Sequence, residues 1–309
     1  MICKYLALLS LLFIYSSSPV YSQGNRPVIY ILGVAQDGGY PHAGCEKECC
    51  NKAWKKENRK QNVVCLALAD PATKKWWLLE ATPDIKEQLH YFRQLTHSAY
   101  NLLPEGIFIT HAHIGHYTGL MELGREVMNT QNIPVYVLPK MKNYLENNGP
   151  WSQLVKLNNI RPVLLQADSI LWLTPAISVT AFLVPHRDEY SETAGFSINT
   201  GMKKYLFIPD INKWELWQRS ITEEVKKADM AFLDATFYDG CEIPGRKMSE
   251  VPHPFVKETM QLFAKEDVAT RNKVCFIHCN HSNPLLYNRQ KRKEVTKQGF
   301  LIAKQGQQY

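Results

Sequence analysis

Apolar and polar positions follow two rhythms along the chain, and together they predict its elements. Short, dense, β-branched runs of the kind that form buried strands recur at 27–33, 63–69, 76–80, 106–110 and 134–138. They crowd more closely at 161–165, 170–173, 177–184, 195–200, 204–208 and 274–277. Asp70-Pro71-Ala72-Thr73 and Asn199-Thr200-Gly201 have the residues of tight turns between neighbouring strands. The helical rhythm appears in Ile85, Leu89, Phe92 and Leu95, after an initiating Ala81-Thr82-Pro83-Asp84. It returns in short stretches at 141–147 and 151–157. Leu120, Met121, Leu123 and Val127 predict a further helix beginning near His116. Strand-rich stretches punctuated by helices occupy both halves, with no repeat, low-complexity block or linker between them. That pattern predicts an α/β (α+β) domain of two packed sheets with helices on their outer faces.

The first 22 residues follow neither rhythm. Lys4, the apolar stretch 5–15 and Val20-Tyr21-Ser22 ahead of Gln23 have the form of a secretory signal. The apolar stretch is too short to span a bilayer, and no later one is long enough. We expect a signal peptide at 1–22, a mature domain at 23–309, a secreted or periplasmic location and no stable membrane insertion after cleavage. Composition, at 45% hydrophobic and 21% charged, is that of a chain with a substantial core and no disorder signature. The formal charge of +7 falls to +6 without Lys4, and much of the excess sits in 288–293. Such a run reads as a solvated helix face, and no nucleic-acid-binding motif accompanies it. A small-molecule substrate is the expected partner, and nucleic acid is not.

Candidate chemistry gathers at strand ends, where α/β folds place it. Thr110-His111-Ala112-His113-Ile114-Gly115-His116 puts three of the ten histidines on one turn from strand to helix. Imidazole is the commonest protein ligand for borderline metals. His186 closes the strand at 177–184, Asp210 the strand at 204–208, and His278 the strand at 274–277, with His281 three residues on. Cys45, Cys49 and Cys50 fall within six positions. Adjacent Cys49 and Cys50 pair with each other only under strain. The mature chain would keep seven cysteines, an odd number that fits poorly with a disulfide framework. A structural zinc site with His42 as fourth ligand is the expectation. Asp37 or a more distant residue is an alternative fourth ligand, and disulfides or free thiols are the competing state.

The His111–His116 stretch resembles the H-x-H-x-D-H motif of the metallo-β-lactamase superfamily. The later order of His, Asp and His at strand ends is also that superfamily's. The resemblance implies a four-layer αββα sandwich. It implies a first metal held by His111, His113 and His186, a bridging Asp210, and a second metal held by His116 and His278. Glu80 matches an early acidic position that buttresses the site, and His281 is expected behind the ligands. His253 falls where phosphodiesterase-like members carry a general acid, although a loop histidine ahead of a helix reads equally well. The motif's Asp is replaced by Gly115, so one tightly held ion and one weak or absent ion are expected in the histidine cluster, with His281 or Asp37 as residues that could fill the vacancy. Stretches 32–41, 80–85, 234–237 and 278–285 resemble the branch containing the pyrroloquinoline quinone biosynthesis B proteins. Unlike those proteins, this chain keeps all three motif histidines and carries an export signal. The expected activity is hydrolysis of an ester, amide or phosphodiester, since zinc with an open position brings its water's pKa to ~7. Iron or manganese in the same ligands would suit a related oxidoreductase, and a non-catalytic metal-binding protein is the third reading.

Overall fold

The computed structural model describes residues 26–57, 60–242 and 250–309. The signal sequence expected at 1–22 lies outside them. The first sheet runs in chain order through β1 (Val28–Gly33), β2 (Cys65–Asp70), β3 (Lys75–Leu79), β4 (Ile107–Phe108), β5 (Ile133–Val137) and β6 (Ile160–Leu164). The second contains β7 (Ile170–Trp172), β8 (Ser178–Val184), β9 (Thr193–Asn199), β10 (Lys204–Ile208), β11 (Met230–Asp234), β12 (Val274–Ile277) and β13 (Leu301–Ile302), also laid out in chain order. Each sheet opens with antiparallel pairings and finishes with parallel ones, from β3 to β6 and from β10 to β13. Parallel neighbours need a crossover, and the intervening helices supply it on the outer faces.

Alternation along the strands sorts side chains between layers. Ile29, Ile31, Leu66, Leu68 and Phe108 of the first sheet meet Val179, Phe196, Phe207 and Ile277 of the second in the central core. Their alternates, Tyr30, Leu32, Ala67, Leu78 and Val135, face outward onto α2 (Ile85–Leu95), α4 (Pro139–Asn147) and α5 (Trp151–Lys156) through Phe92, Met141 and Leu154. On the other side, Leu206, Ile208, Leu233 and Phe276 pack beneath α6 (Ile221–Lys226), α7 (Val256–Leu262) and α9 (Arg289–Lys297). The result is the expected αββα sandwich. Two short helices, α1 (Glu48–Trp54) and α8 (Val268–Arg271), lie in connections, and no helix among the described residues is long and apolar enough to cross a membrane.

One expectation changes. The helix after His116 does not reach Val127: α3 (Ile114–Tyr117) gives way to a 3₁₀ turn at Thr118–Leu123, and Val127 is exposed. Gly119 presses so closely on the chain at 81–82 that a Cβ there would lie 2.1 Å from the Thr82 carbonyl oxygen. A tighter 3₁₀ path still buries Leu120 and Leu123, because residues three apart share a face in that helix.

Candidate metal centres

One end of the sandwich collects the candidate residues. Parallel strands end there together, so residues far apart in sequence are brought within a few ångström by sheet register alone. His111, His113, His186 and Asp210 offer ligand atoms within 4.8 Å of one another, and so do Asp37, His116 and His278. Asp210 lies between the groups, its Oδ2 3.5 Å from His111 Nε2, 3.2 Å from His186 Nε2 and 3.8 Å from His116 Nε2. Ligand atoms around a tetrahedral zinc with ~2.0–2.1 Å bonds stand about 3.3 Å apart, close to these separations.

The ring orientations follow from the residues behind them. Thr110 Oγ1 is 2.9 Å from His111 Nδ1, Asn212 Oδ1 is 3.1 Å from His186 Nδ1, and Glu80 Oε1 is 3.2 Å from His116 Nδ1. At His278, Thr236 Oγ1 gives its hydrogen to Asp234 Oδ1 at 2.7 Å, so it can only accept from Nδ1, 3.0 Å away. That fixes the tautomer and turns a bare Nε2 lone pair inward. His113 is reversed, with Nδ1 facing His111 and His186, and Nε2 paired to Glu189 Oε2 at 3.1 Å. Glu80 also accepts from the Thr110 backbone N–H at 3.2 Å, the buttressing position assigned to it from sequence.

Gly115 is explained by a residue the motif does not contain. A Cβ at this position would lie 2.0 Å from Asp37 Oδ1 and 2.6 Å from Asp37 Cα. Asp37, on the loop after β1, therefore occupies the space of the missing carboxylate and points its Oδ1 to within 3.3 Å of His116 Nε2 and 3.9 Å of His278 Nε2. Asp37 Oδ1, His116 Nε2 and His278 Nε2 are all buried without a hydrogen-bond partner. Three polar atoms in that state are costly unless a cation satisfies them, and the nitrogen–oxygen donor set suits zinc, iron or manganese.

Charge state supports ligand duty at His111, Asp37 and Asp210. At His116, burial is outweighed by the Glu80 and Asp37 carboxylates, which push the imidazole well above the ordinary histidine range. Burial depresses His111 well below the ordinary histidine range, which keeps it neutral. Burial would raise Asp37, but His116 and His278 outweigh it and hold the carboxyl well below its usual range. Asp210 behaves likewise under His186 and His253. His253 Nδ1 sits 3.1 Å from Asp210 Oδ1 and 3.0 Å from Asp234 Oδ2, and these carboxylates overcome burial to push it up to about 10. Asp234, the first residue of the stretch 234–237, has no role that the sequence alone assigns. It also accepts from the Ile211 N–H at 3.1 Å, which fixes the turn carrying Asp210.

A second cluster lies alongside. Cys45, Cys49, Cys50 and His281 offer ligand atoms within 4.8 Å of one another. Cys45 and Cys49 Sγ are 4.0 Å apart, as are Cys49 and Cys50 Sγ; His281 Nδ1 is 3.6 Å from Cys49 Sγ and 3.4 Å from Cys50 Sγ. Bonds of ~2.3 Å to sulfur and ~2.0 Å to nitrogen give tetrahedral edges of about 3.8 and 3.5 Å, so the set fits a closed zinc site. Two expectations are corrected. His42 is not the fourth member: its Nδ1 is 2.8 Å from its own neighbour's carbonyl at Ala43, and its ring lies tilted against His281 with centroids 4.5 Å apart. Its backbone reaches the cluster instead, the N–H 3.4 Å from Cys50 Sγ and the carbonyl accepting from the Cys45 N–H at 3.1 Å. His281 in turn does not stand behind the histidine centre, because the loop after β12 carries it across to the cysteines. Burial and the charges of His42 and Lys47 lower His281 to about 4, leaving a neutral imidazole. All seven cysteines among the described residues are free, so none of the three is joined to Cys65, Cys241 or Cys275.

Fold and site together have the form of the metallo-β-lactamase superfamily, and comparison with known proteins agrees. A model of the beta-lactamase superfamily domain matches residues 75–307, well over half the chain, and the chain belongs to that superfamily. Its similarities fall in the PqqB-like branch. Coenzyme PQQ synthesis protein B of Methylorubrum populi is 26% identical, with 90% of this chain and 98% of that protein aligned. The Gluconobacter oxydans protein of the same name is 25% identical over 90% and 96%. Among solved structures, Zn²⁺-bound PqqB from Methylobacterium extorquens superposes with a TM-score of 0.72 at 22% identity, covering 91% of this chain and 99% of that one. A diphosphatase of the PhnP family superposes with a TM-score of 0.63 at 16% identity, covering 92% and 96%, which extends the fold likeness to a second protein.

Proposed function

We propose that the protein is a metal-dependent hydrolase acting on an ester, amide or phosphodiester, with a two-ion centre. His111, His113, His186 and Asp210 would hold one ion, and Asp37, His116, His278 and the shared Asp210 the other. The observation that carries this reading is Asp37 filling the space beside Gly115, which supports a complete second ligand set where the motif alone lacks one. Bound there, zinc supplies Lewis-acid polarisation of a carbonyl or phosphoryl oxygen and acidifies water toward neutral pH. The chain's own work is to hold its imidazole lone pairs inward, keep Asp210 ionised, and deliver a proton to the leaving group. His253 has Nδ1 committed to Asp210 and Asp234, so the proton would leave from Nε2. A small molecule is the expected substrate.

The similarity to coenzyme PQQ synthesis proteins favours one alternative, an oxidative reaction using iron in the same ligands. Metal analysis of the purified protein, with assays of ester, lactam and phosphodiester cleavage and of oxygen uptake, separates the two. Zinc-dependent cleavage supports the hydrolase. Iron-dependent oxygen uptake without cleavage replaces it with the oxidoreductase. We also propose export with cleavage after Ser22; a secreted form whose first residue is Gln23 in N-terminal mass spectrometry is the expected result.

A further inference from the structure

We propose that the Cys45/Cys49/Cys50/His281 cluster is the positioning device for the second metal site. This inference rests on the two-ion reading above only for its metal readout. The cluster joins two chain segments, 36–50 and 278–283. These segments carry Asp37 and His278, two of the three residues grouped at the second position. The first position is built from other strands, through His111, His113, His186 and Asp210.

The two segments are also zipped together between the cluster and the site. The Gln36 N–H donates to the Cys279 carbonyl and the Cys279 N–H to the Val34 carbonyl, both at 2.9 Å. Asn280 Nδ2 donates to Gln36 Oε1 at 2.8 Å. On the cluster side, Tyr40 Oη donates to the Cys49 carbonyl at 2.7 Å, and His42 lies with its ring against His281. The 36–50 loop has few other regular pairings and only the seven-residue α1, so a four-point cross-link is a large share of what orders it. Loops held by few buried contacts open locally at low cost, and a metal staple removes that freedom. Asp37 lies at the start of the cysteine-bearing arm, while the turn carrying Asp210, the shared ligand, is fixed by Asp234, which also braces His278 through Thr236. Loss of the staple would therefore relax Asp37 above all, since His278 keeps its Thr236 brace, and leave the first position intact.

The test uses the full mature protein in three forms: unmodified, His281→Ala and Asn280→Ala. Two readouts are taken: hydrogen–deuterium exchange in segments 34–50 and 278–283, and cobalt titration of each site, followed by its sulfur charge-transfer and ligand-field bands. His281→Ala leaves three thiolates, so the sulfur charge-transfer band should shift and saturate only at higher cobalt, and exchange of the Gln36 and Cys279 amides should speed up. The substitution should also weaken the second ion by ~10–100-fold, the range for losing a supporting partner, with the first ion unchanged. Asn280→Ala keeps the cluster and should show a smaller loss in the same direction. If His281→Ala does not fold, an organomercurial that strips metal from thiolates in the unmodified protein gives the same comparison. Unchanged exchange and unchanged second-ion affinity after the cluster is emptied would overturn the proposal. A single ion in the unmodified histidine centre would overturn the two-ion reading instead, and exchange would still decide whether the staple positions the loops.

Discussion

At the scale of single residues, Gly115 and Asp37 form one unit. A carboxylate at 115 and Asp37 cannot share the space, since even a Cβ overlaps Asp37 at 2.0 Å. Gly115→Asp, which the motif alone suggests should restore the second ion, is expected to do the reverse. Overpacking should cost ~1–3 kcal/mol in chemical denaturation, and metal content should not rise. Asp37→Ala should weaken the second ion by at least ~10-fold, measured by competition with a chromophoric chelator, and spare the first. His253 gives a separate test. His253→Gln should reduce turnover by ~10²–10⁴-fold with both ions retained, the range for a lost general acid. Wild-type turnover in that variant would remove His253 from the reaction.

At the scale of elements, the loops that meet at the site are tied by buried polar groups whose charge matters. Glu242, after β11, accepts from Ser282 Oγ at 2.9 Å in the loop that carries His278, and also from the Tyr238 and Asp239 N–H groups. Burial raises Glu242 to about 7, above the ordinary glutamate value of 4.5. The folded chain therefore binds an extra proton between about 4.5 and 7, and stability falls as pH rises through that window. Thermal melts from pH 4.5 to 8 should show this decline in the unmodified protein. Glu242→Gln, which stays neutral, should flatten it. The α3 and 3₁₀ segment shows the other side of element formation: close approach at Gly119 overrides a pattern that reads as one longer helix.

For the whole molecule, both clusters stitch together segments that are distant in the chain. Asp37 and His278 lie 241 positions apart, and Cys50 and His281 231 positions apart. Ions that bind the folded state alone add stability as RT ln(1 + [L]/Kd), ~4 kcal/mol at 1,000 times Kd. Chelation should lower the melting temperature, and zinc should restore it. A melt unaffected by chelator would mean that the clusters carry no tightly held ion. The charge-rich α9, the basic run foreseen as a solvated face, has one buried residue, Val295, through which it joins the outer core.

Local chemistry and local periodicity were enough to read much of this protein. Strand and helix rhythms gave the sandwich because burial on one face imposes them residue by residue. The histidine cluster was legible in its own spacing, and the strand-end His186, Asp210 and His278 were joined to it by the superfamily resemblance; sheet register is what carries those strand ends to a common edge. The roles of Asp37, Asp234 and His281, and the exclusion of His42 from the cysteine cluster, were settled only in three dimensions. Each depends on where a loop crosses a loop. Asp37 reaches the space of a residue 78 positions away because Gly115 has no side chain to oppose it. His281 turns to the cysteines and not to His278, its neighbour in sequence, because the chain after β12 bends between the two clusters. Sequence spacing records which residues are near along the chain, and these side chains are near only through the packing of distant loops.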